Sequence, residues 1–168
     1  MEGTGKVIVL NGASSSGKST LARALQFELT DTYLHCQLDA FWNMTPPTIP
    51  ASSANFPRMK LAMAKSVKAL AETGHNVIVD IIYSGLKSHL EFSSTLDGIG
   101  VLVIKLDCKL DELERRELER GDRKLGLAKS QLDVVHEEIP YDLELDTSIS
   151  SPAECVEEIV ARINLLGL

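Results

Sequence analysis

The sequence predicts an α/β fold of three layers, a parallel sheet with helices on both faces. Three observations predict it. Strand and helix patterns alternate from end to end of the 168 residues. The strand segments are near-continuously apolar, as in Val77-Ile78-Val79 and Val101-Leu102-Val103-Ile104, the mark of strands buried on both faces. The run Val7-Ile8-Val9-Leu10 also passes almost directly into a Gly/Ser-rich turn and then into a run of helix formers, the strand–turn–helix order of a βα unit.

Each element has its own signal. Lys6 to Asn11 reads as the first strand, and Leu21-Ala22-Arg23-Ala24-Leu25-Gln26 as the body of a helix reaching about Leu29. Tyr33 to Leu38 reads as a short second strand. Residues 43–57 hold Pro46, Pro47, Pro50 and Pro57 among Ser and Thr, which predicts a loop. Arg58 to Glu72 carries Met59, Ala62, Met63, Val67 and Leu70 on one side and meets Gly74 as a stop, which predicts a helix. Val77 to Ile82 is a strand, Leu86 to Leu96 a weaker helix, and Val101 to Asp107 a further strand. Leu110 to Arg120 is a charged helix, Leu143 to Asp146 alternates like an edge strand, and Pro152 to Leu166 closes the chain as an amphipathic helix. No repeat or interdomain linker interrupts this order, so residues 1–168 read as a single domain.

Composition narrows the function classes. Seventeen basic against 24 acidic residues give a net charge of −7, which argues against a nucleic-acid partner, since phosphate-backbone binding needs a basic face. No segment has the length of a membrane-spanning helix, and the start lacks the shape of a signal peptide. Cys36, Cys108 and Cys155 are three, far apart, without a C-x-x-C pair, which fits reduced thiols in a cytoplasmic protein.

The chemistry concentrates at Gly12-Ala13-Ser14-Ser15-Ser16-Gly17-Lys18-Ser19, a G-x-x-x-x-G-K-[ST] phosphate loop directly after Val7-Ile8-Val9-Leu10. Loop N–H groups can surround phosphate oxygens while the helix after Gly17 aims its positive end at them. Lys18 can reach the β- and γ-phosphates and the Ser19 hydroxyl can sit on Mg²⁺. Gly12 through Ser19, with Thr20 next, are therefore the nucleotide-binding residues. In open sheets ligands bind beyond the carboxyl ends of strands, which singles out Asp39, Asp80 and Asp107. Asp80 ends the more apolar strand and is the candidate magnesium acid beside Ser19; Asp107 has the same form. Asp39 is either a carboxylate that accepts a hydroxyl proton or a helix N-cap, and the residues alone leave both open. Phe41, Trp42, Met44 and Phe56 could wall an acceptor or pack beneath the next helix.

Arg116, Arg120 and Arg123 fall at i, i+4, i+7, one face of a helix if it persists that far, with Gly121 and Gly126 to let the segment move. Arginines on a mobile element over a phosphate loop can neutralise a transferring phosphoryl group. Surface pairing of Glu112 with Arg116 and of Glu119 with Arg123 is the competing reading. His136 is a weak catalytic candidate; His35, His75 and His89 read as surface or strand-edge residues.

These pieces resemble the chloramphenicol phosphotransferase-like family of small P-loop kinases. The resemblance rests on the phosphate loop, Leu38-Asp39, Val79-Asp80 with Gly85, and Arg116-Glu117-x-x-Arg120-Gly121-Asp122-Arg123-x-x-Gly126-x-Ala128-x-x-Gln131. It continues through Val134-Val135-His136-Glu137, Tyr141-Asp142 and Glu144-x-Asp146-Thr147, nearly the whole chain. It implies a P-loop NTPase fold of the nucleotide-kinase kind, five parallel strands, with a short arginine-bearing lid over about 116–131. It implies ATP as donor, Mg²⁺, and transfer of the γ-phosphoryl group to a hydroxyl of a small molecule. In that scheme Asp39 is the base, Lys18 and Ser19 hold phosphate and Mg²⁺, and Arg120 and Arg123 are the lid arginines. Residues 41–60, where an acceptor would sit, are Pro- and Ser-rich and do not match the antibiotic-modifying members, so the resemblance carries the reaction class and not chloramphenicol itself. A nucleoside, nucleotide-sugar or polynucleotide-end kinase, and a nucleotide-binding regulatory module without an acceptor, are the alternatives.

Overall fold

The computed structural model describes residues 3–49, 55–121 and 125–167. Five parallel strands stand in the order β2-β3-β1-β4-β5: β1 (Val7–Asn11), β2 (Tyr33–Gln37), β3 (Asn76–Ile81), β4 (Val101–Asp107) and β5 (Leu143–Asp146). Successive side chains leave opposite faces of a strand, and the two cores divide accordingly. Ile8, Leu10, Ile78, Leu102 and Ile104 point to one face, packed by Leu21 and Leu25 of α1 (Lys18–Glu28) and Val156 and Ile159 of α7 (Pro152–Leu166). Val7, Val9, Val77 and Val79 point to the other, packed by Met63, Val67 and Ala71 of α3 (Phe56–Glu72) and Phe92 of α4 (Gly85–Thr95). Burying a side chain such as Met63 or Ile159, both fully enclosed, contributes about 1.5–3 kcal/mol each.

The order of strands positions the site. Strands β2 and β3 lie on one side of β1, and β4 and β5 on the other, so a crevice opens at the carboxyl end of β1. The register sets Gln37, Asp80 and Leu10 side by side, which brings the residues following each of these strands to one edge.

Several local expectations change. β2 stops at Gln37, and Leu38 opens a five-residue helix, α2 (Leu38–Trp42), where Asp39 occupies the second position. α3 begins at Phe56 because Pro57, with φ already fixed near helical values and no N–H to lose, suits the first turn. α5 (Leu110–Arg120) ends where Gly121 turns left-handed at φ 64°, with Arg116 and Arg120 one turn apart on it; Arg123 lies outside the described residues. A separate helix, α6 (Leu127–Val135), follows.

Candidate active site

The phosphate loop joins β1 to α1 by a backbone only part of which any residue could adopt. Gly17 holds φ 90° at the N-cap of α1, and Ser15 is also left-handed at φ 63°, a strained state for a serine. Gly12 is glycine for a different reason: a Cβ there would lie 2.6 Å from the Leu106 carbonyl oxygen and 2.5 Å from Ser16 Oγ. Lys18 folds back along the loop, its Nζ donating to the carbonyls of Gly12 at 2.9 Å and Ala13 at 2.7 Å. The Ser15 and Ser16 hydroxyls are buried without a hydrogen-bond partner among the described residues, polar capacity that a loop around phosphate oxygens would use. Ser14, Ser15, Gly17, Lys18, Ser19 and Thr20 line one cavity of about 860 Å³.

Ser19 Oγ donates to Asp80 Oδ2 at 2.6 Å, joining the first turn of α1 to the end of β3. Burial alone would raise the Asp80 pKa. His35, the Lys18 charge and the Ser19 hydroxyl outweigh it and hold the carboxyl below its ordinary value. His35 Nε2 is 3.7 Å from Asp80 Oδ2, too long for a hydrogen bond, so its pull is electrostatic. A hydroxyl and an ionised carboxylate facing each other beside a phosphate loop are the hard oxygen donors a magnesium ion takes. Asp107 plays a different part. Its Oδ1 accepts the Cys108 N–H at 2.9 Å, and it does not line the cavity.

Asp39 is exposed in the first turn of α2 and lines the same cavity as Lys18 and Asp80. The N-cap of α2 is Gln37, without a side-chain cap bond, so the capping alternative for Asp39 falls away. Of the four apolar residues near it only Phe56 lines the cavity, backed by Trp42 in a stack with centroids 5.4 Å apart. Phe41 packs against the α3 side of the sheet, and Met44 is exposed.

The arginines separate into two kinds. Arg115 pairs on the surface with Glu112 and Glu119. Arg116 keeps the Glu112 pairing expected from sequence and is at the same time turned onto the loop. It donates to the Thr147 carbonyl at 2.7 Å, to Thr147 Oγ1 at 3.2 Å and to the Ser15 carbonyl at 3.4 Å, while its Nε holds Glu112 at 2.7 Å. Thr147 Oγ1 in turn donates to the Ser16 carbonyl at 2.9 Å. Arg120 lines the cavity one turn further along α5.

Several residues to which the sequence reading gave no supporting role hold the site together. Gln131 of α6 accepts the Ser14 N–H on its Oε1 at 2.7 Å, tying α6 to the phosphate loop. Asn11, fully buried, donates to the Val135 carbonyl at 2.8 Å and to the Tyr141 hydroxyl at 2.6 Å, and its Oδ1 accepts the Tyr83 N–H at 2.9 Å. His136 belongs to this network through a 2.7 Å contact of Nδ1 with Tyr141 Oη, and burial first, with Lys105 nearby, lowers its pKa and favours the neutral ring. It does not line the cavity. His89 is buried edge-on against Tyr83 and is not a surface residue. The one available signal was polarity in an apolar context, Asn11 closing a Val/Ile/Leu strand above all.

A phosphate loop at the mouth of a parallel sheet ordered 2-3-1-4-5, with an arginine-bearing helix over it, defines the class of P-loop phosphotransferases. The chain belongs to the chloramphenicol phosphotransferase-like family, whose sequence profile matches residues 5–164. It is 29% identical over 181 aligned positions to Rv2636 of Mycobacterium tuberculosis, provisionally named an O-phosphotransferase, covering 92% of this chain and 80% of the relative. Among solved structures it resembles the APS kinase CysC of M. tuberculosis in complex with AMPPNP and APS, with TM-score 0.79, 20% identity, and 96% and 99% of the two chains covered. It also resembles a gluconokinase from Sinorhizobium meliloti, with TM-score 0.72, 20% identity, and 99% and 95% covered. At such identity these two likenesses show a shared kinase fold. The family and its relative make the protein a phosphotransferase. No helix among the described residues is long and apolar enough to cross a membrane.

Proposed function

We propose that this protein transfers the γ-phosphoryl group of Mg-ATP to a hydroxyl of a small molecule. The observation that carries the reading is that Asp39, Lys18 and the Ser19–Asp80 pair line one cavity. Asp39 accepts the proton of the acceptor hydroxyl as its oxygen bonds to the γ-phosphorus. The bond from that phosphorus to the β–γ bridging oxygen breaks, and ADP leaves. Lys18, Arg116, Arg120 and Arg123 oppose the charge on the phosphates. Ser19 and Asp80 would hold magnesium, which supplies charge neutralisation at the phosphate oxygens. A small hydroxylated acceptor, rather than nucleic acid, fits the net charge of −7.

The test is ADP release from Mg-ATP across hydroxylated acceptors, chloramphenicol, nucleosides and sugars included, with wild type and Asp39→Asn. A compound that stimulates wild type, while the variant binds AMPPNP yet turns over at least about 10²-fold more slowly, supports the assignment. Equal stimulation of both removes Asp39 as base. A flat panel with nucleotide bound points to a regulatory nucleotide-binding module.

A further inference from the structure

Lys60 stands on α3 one helical step of four residues after Phe56, so both side chains leave the same face, and both line the cavity. They belong to its β2–β3 side, with Asp39 and Asp80, whereas Thr147 and Pro152 line it from the β5 side. The Lys60 ammonium is half-buried and donates to the Ile82 carbonyl at 2.7 Å, two residues beyond Asp80, with a long 3.4 Å contact to Ser88 Oγ. Both partners are neutral. No carboxylate among the described residues lies within ion-pair distance of it, and Glu91, the acid whose charge reaches it, forms its own pair with Lys87 at 4.0 Å. Burial lowers the Lys60 pKa, and a desolvated cation without a counter-ion is unfavourable until an anion meets it.

We propose that Lys60 recognises an anionic group on the acceptor, so that the substrate is a hydroxylated small molecule bearing a carboxylate, sulfate or phosphoryl ester. This rests on the phosphotransferase reading above, with the acceptor in the Asp39 half of the cavity. One proton of the ammonium is left after the two contacts just described, and a charge-assisted hydrogen bond to an anion uses it. Phe56, held by its stack on Trp42, gives the body of the same molecule a flat apolar wall beside the ammonium. The competing account is that Lys60 serves only to tie down the end of β3 through Ile82, and it predicts no preference for charge in the ligand.

The experiment separates the two accounts and separates this inference from the function on which it rests. The protein is saturated with Mg-AMPPNP, so that the phosphate loop is filled. It is then titrated calorimetrically, at constant ionic strength in chloride, with sodium sulfate and with matched pairs: gluconate against glucose, and 4-hydroxybenzoate against 4-hydroxybenzyl alcohol. Wild type, Lys60→Met and Lys60→Arg are compared, with thermal melting to confirm folding. The expected result is that sulfate binds the filled enzyme and that at least one anion binds about tenfold or more tighter than its neutral partner. Lys60→Met removes that preference and Lys60→Arg retains it. Absence of sulfate binding, absence of preference in wild type, or an undiminished preference in Lys60→Met overturns the inference. If Lys60→Met does not fold, wild type and Lys60→Arg decide. AMPPNP failing to bind at the first step would instead overturn the phosphotransferase reading.

Discussion

Glu117 Oε1 accepts the backbone N–H of Ala128 at 2.6 Å while its Oε2 accepts that of Gly126 at 3.0 Å, so a fully buried carboxylate from α5 caps the start of α6. The N-cap of α6 is Gly126, which has no side chain to do this, and the negative charge also suits the positive end of a helix. This contact fixes the start of α6 to α5.

Glu117→Ala should therefore leave two buried N–H groups unmet and open a small void. A loss of roughly 3 kcal/mol follows, and with it a fall in Tm of about 6–12 °C. Glu117→Gln should retain one of the two bonds and lose less. Thermal melting of both variants checks this, and hydrogen exchange should quicken in residues 126–135 before the sheet is affected. A Glu117→Ala protein that melts with wild type would show that α6 is held by packing alone.

The Ser19–Asp80 contact gives a second test. If this pair receives magnesium, wild type should bind AMPPNP about tenfold or more tighter with Mg²⁺ than with EDTA, and Asp80→Asn should erase that ratio. Ser19→Ala should reduce it, since the hydroxyl donates to the carboxylate at 2.6 Å and would share the ion. Calorimetric titration with and without metal measures the ratio directly. An unchanged ratio in Asp80→Asn would move the metal site elsewhere.

Much of this architecture was legible in the sequence. The apolar runs at Val7, Val77 and Val101 each became a central strand, because near-continuous β-branched and aliphatic residues have no other stable place than a sheet covered on both faces. The phosphate loop was equally plain, since its glycines answer to geometry: Gly17 to a left-handed backbone and Gly12 to the Leu106 carbonyl. What stayed hidden depends on contacts across long stretches of chain. Arg115 and Arg116 are neighbours with the same local pairing options, yet one lies on the surface and the other reaches Thr147, 31 residues away. Gln131 and Ser14 meet over 117 residues. Periodicity also could not separate α6 from the segment before it, because Glu117 provides its cap from outside the local sequence.

Asn11 offers a test of how far the network beyond β1 is shared. Its side chain meets Val135, Tyr141 and Tyr83, from three separate segments. Asn11→Leu keeps approximate volume but strands the Tyr83 N–H and the Val135 carbonyl, and a loss of about 2–4 kcal/mol is expected. Tyr141→Phe removes only the hydroxyl between Asn11 and His136 and should lose about 1 kcal/mol. In the double variant the losses should fall short of additive, because the two residues share one bond. Urea unfolding of the four proteins measures the coupling.

The acid limb of stability should be set in part by Glu112. Hydrogen bonds from Arg115 and then Arg116 depress its carboxyl from 4.5 to about 2. A carboxyl with a depressed folded-state pKa binds protons more readily when the chain is unfolded, so its contribution is complete above the unfolded value and is lost as pH falls through the folded one. The window is therefore from about pH 4.5 down to about pH 2. His136, also depressed, adds a separate loss beginning below its ordinary 6.5, where the unfolded ring takes a proton that the buried one resists. Tm measured from pH 8 to pH 2.5 should thus decline in two stages. Glu112→Gln should melt below wild type at pH 6, and the two curves should converge towards the acid end, because wild type loses there what the variant already lacks. Glu112 and Arg116 are half-buried and Arg115 is exposed, so added salt should narrow the gap at pH 6 only in part. Curves that stay parallel down to pH 2.5 would mean that Glu112 acts on stability through packing and not through its charge.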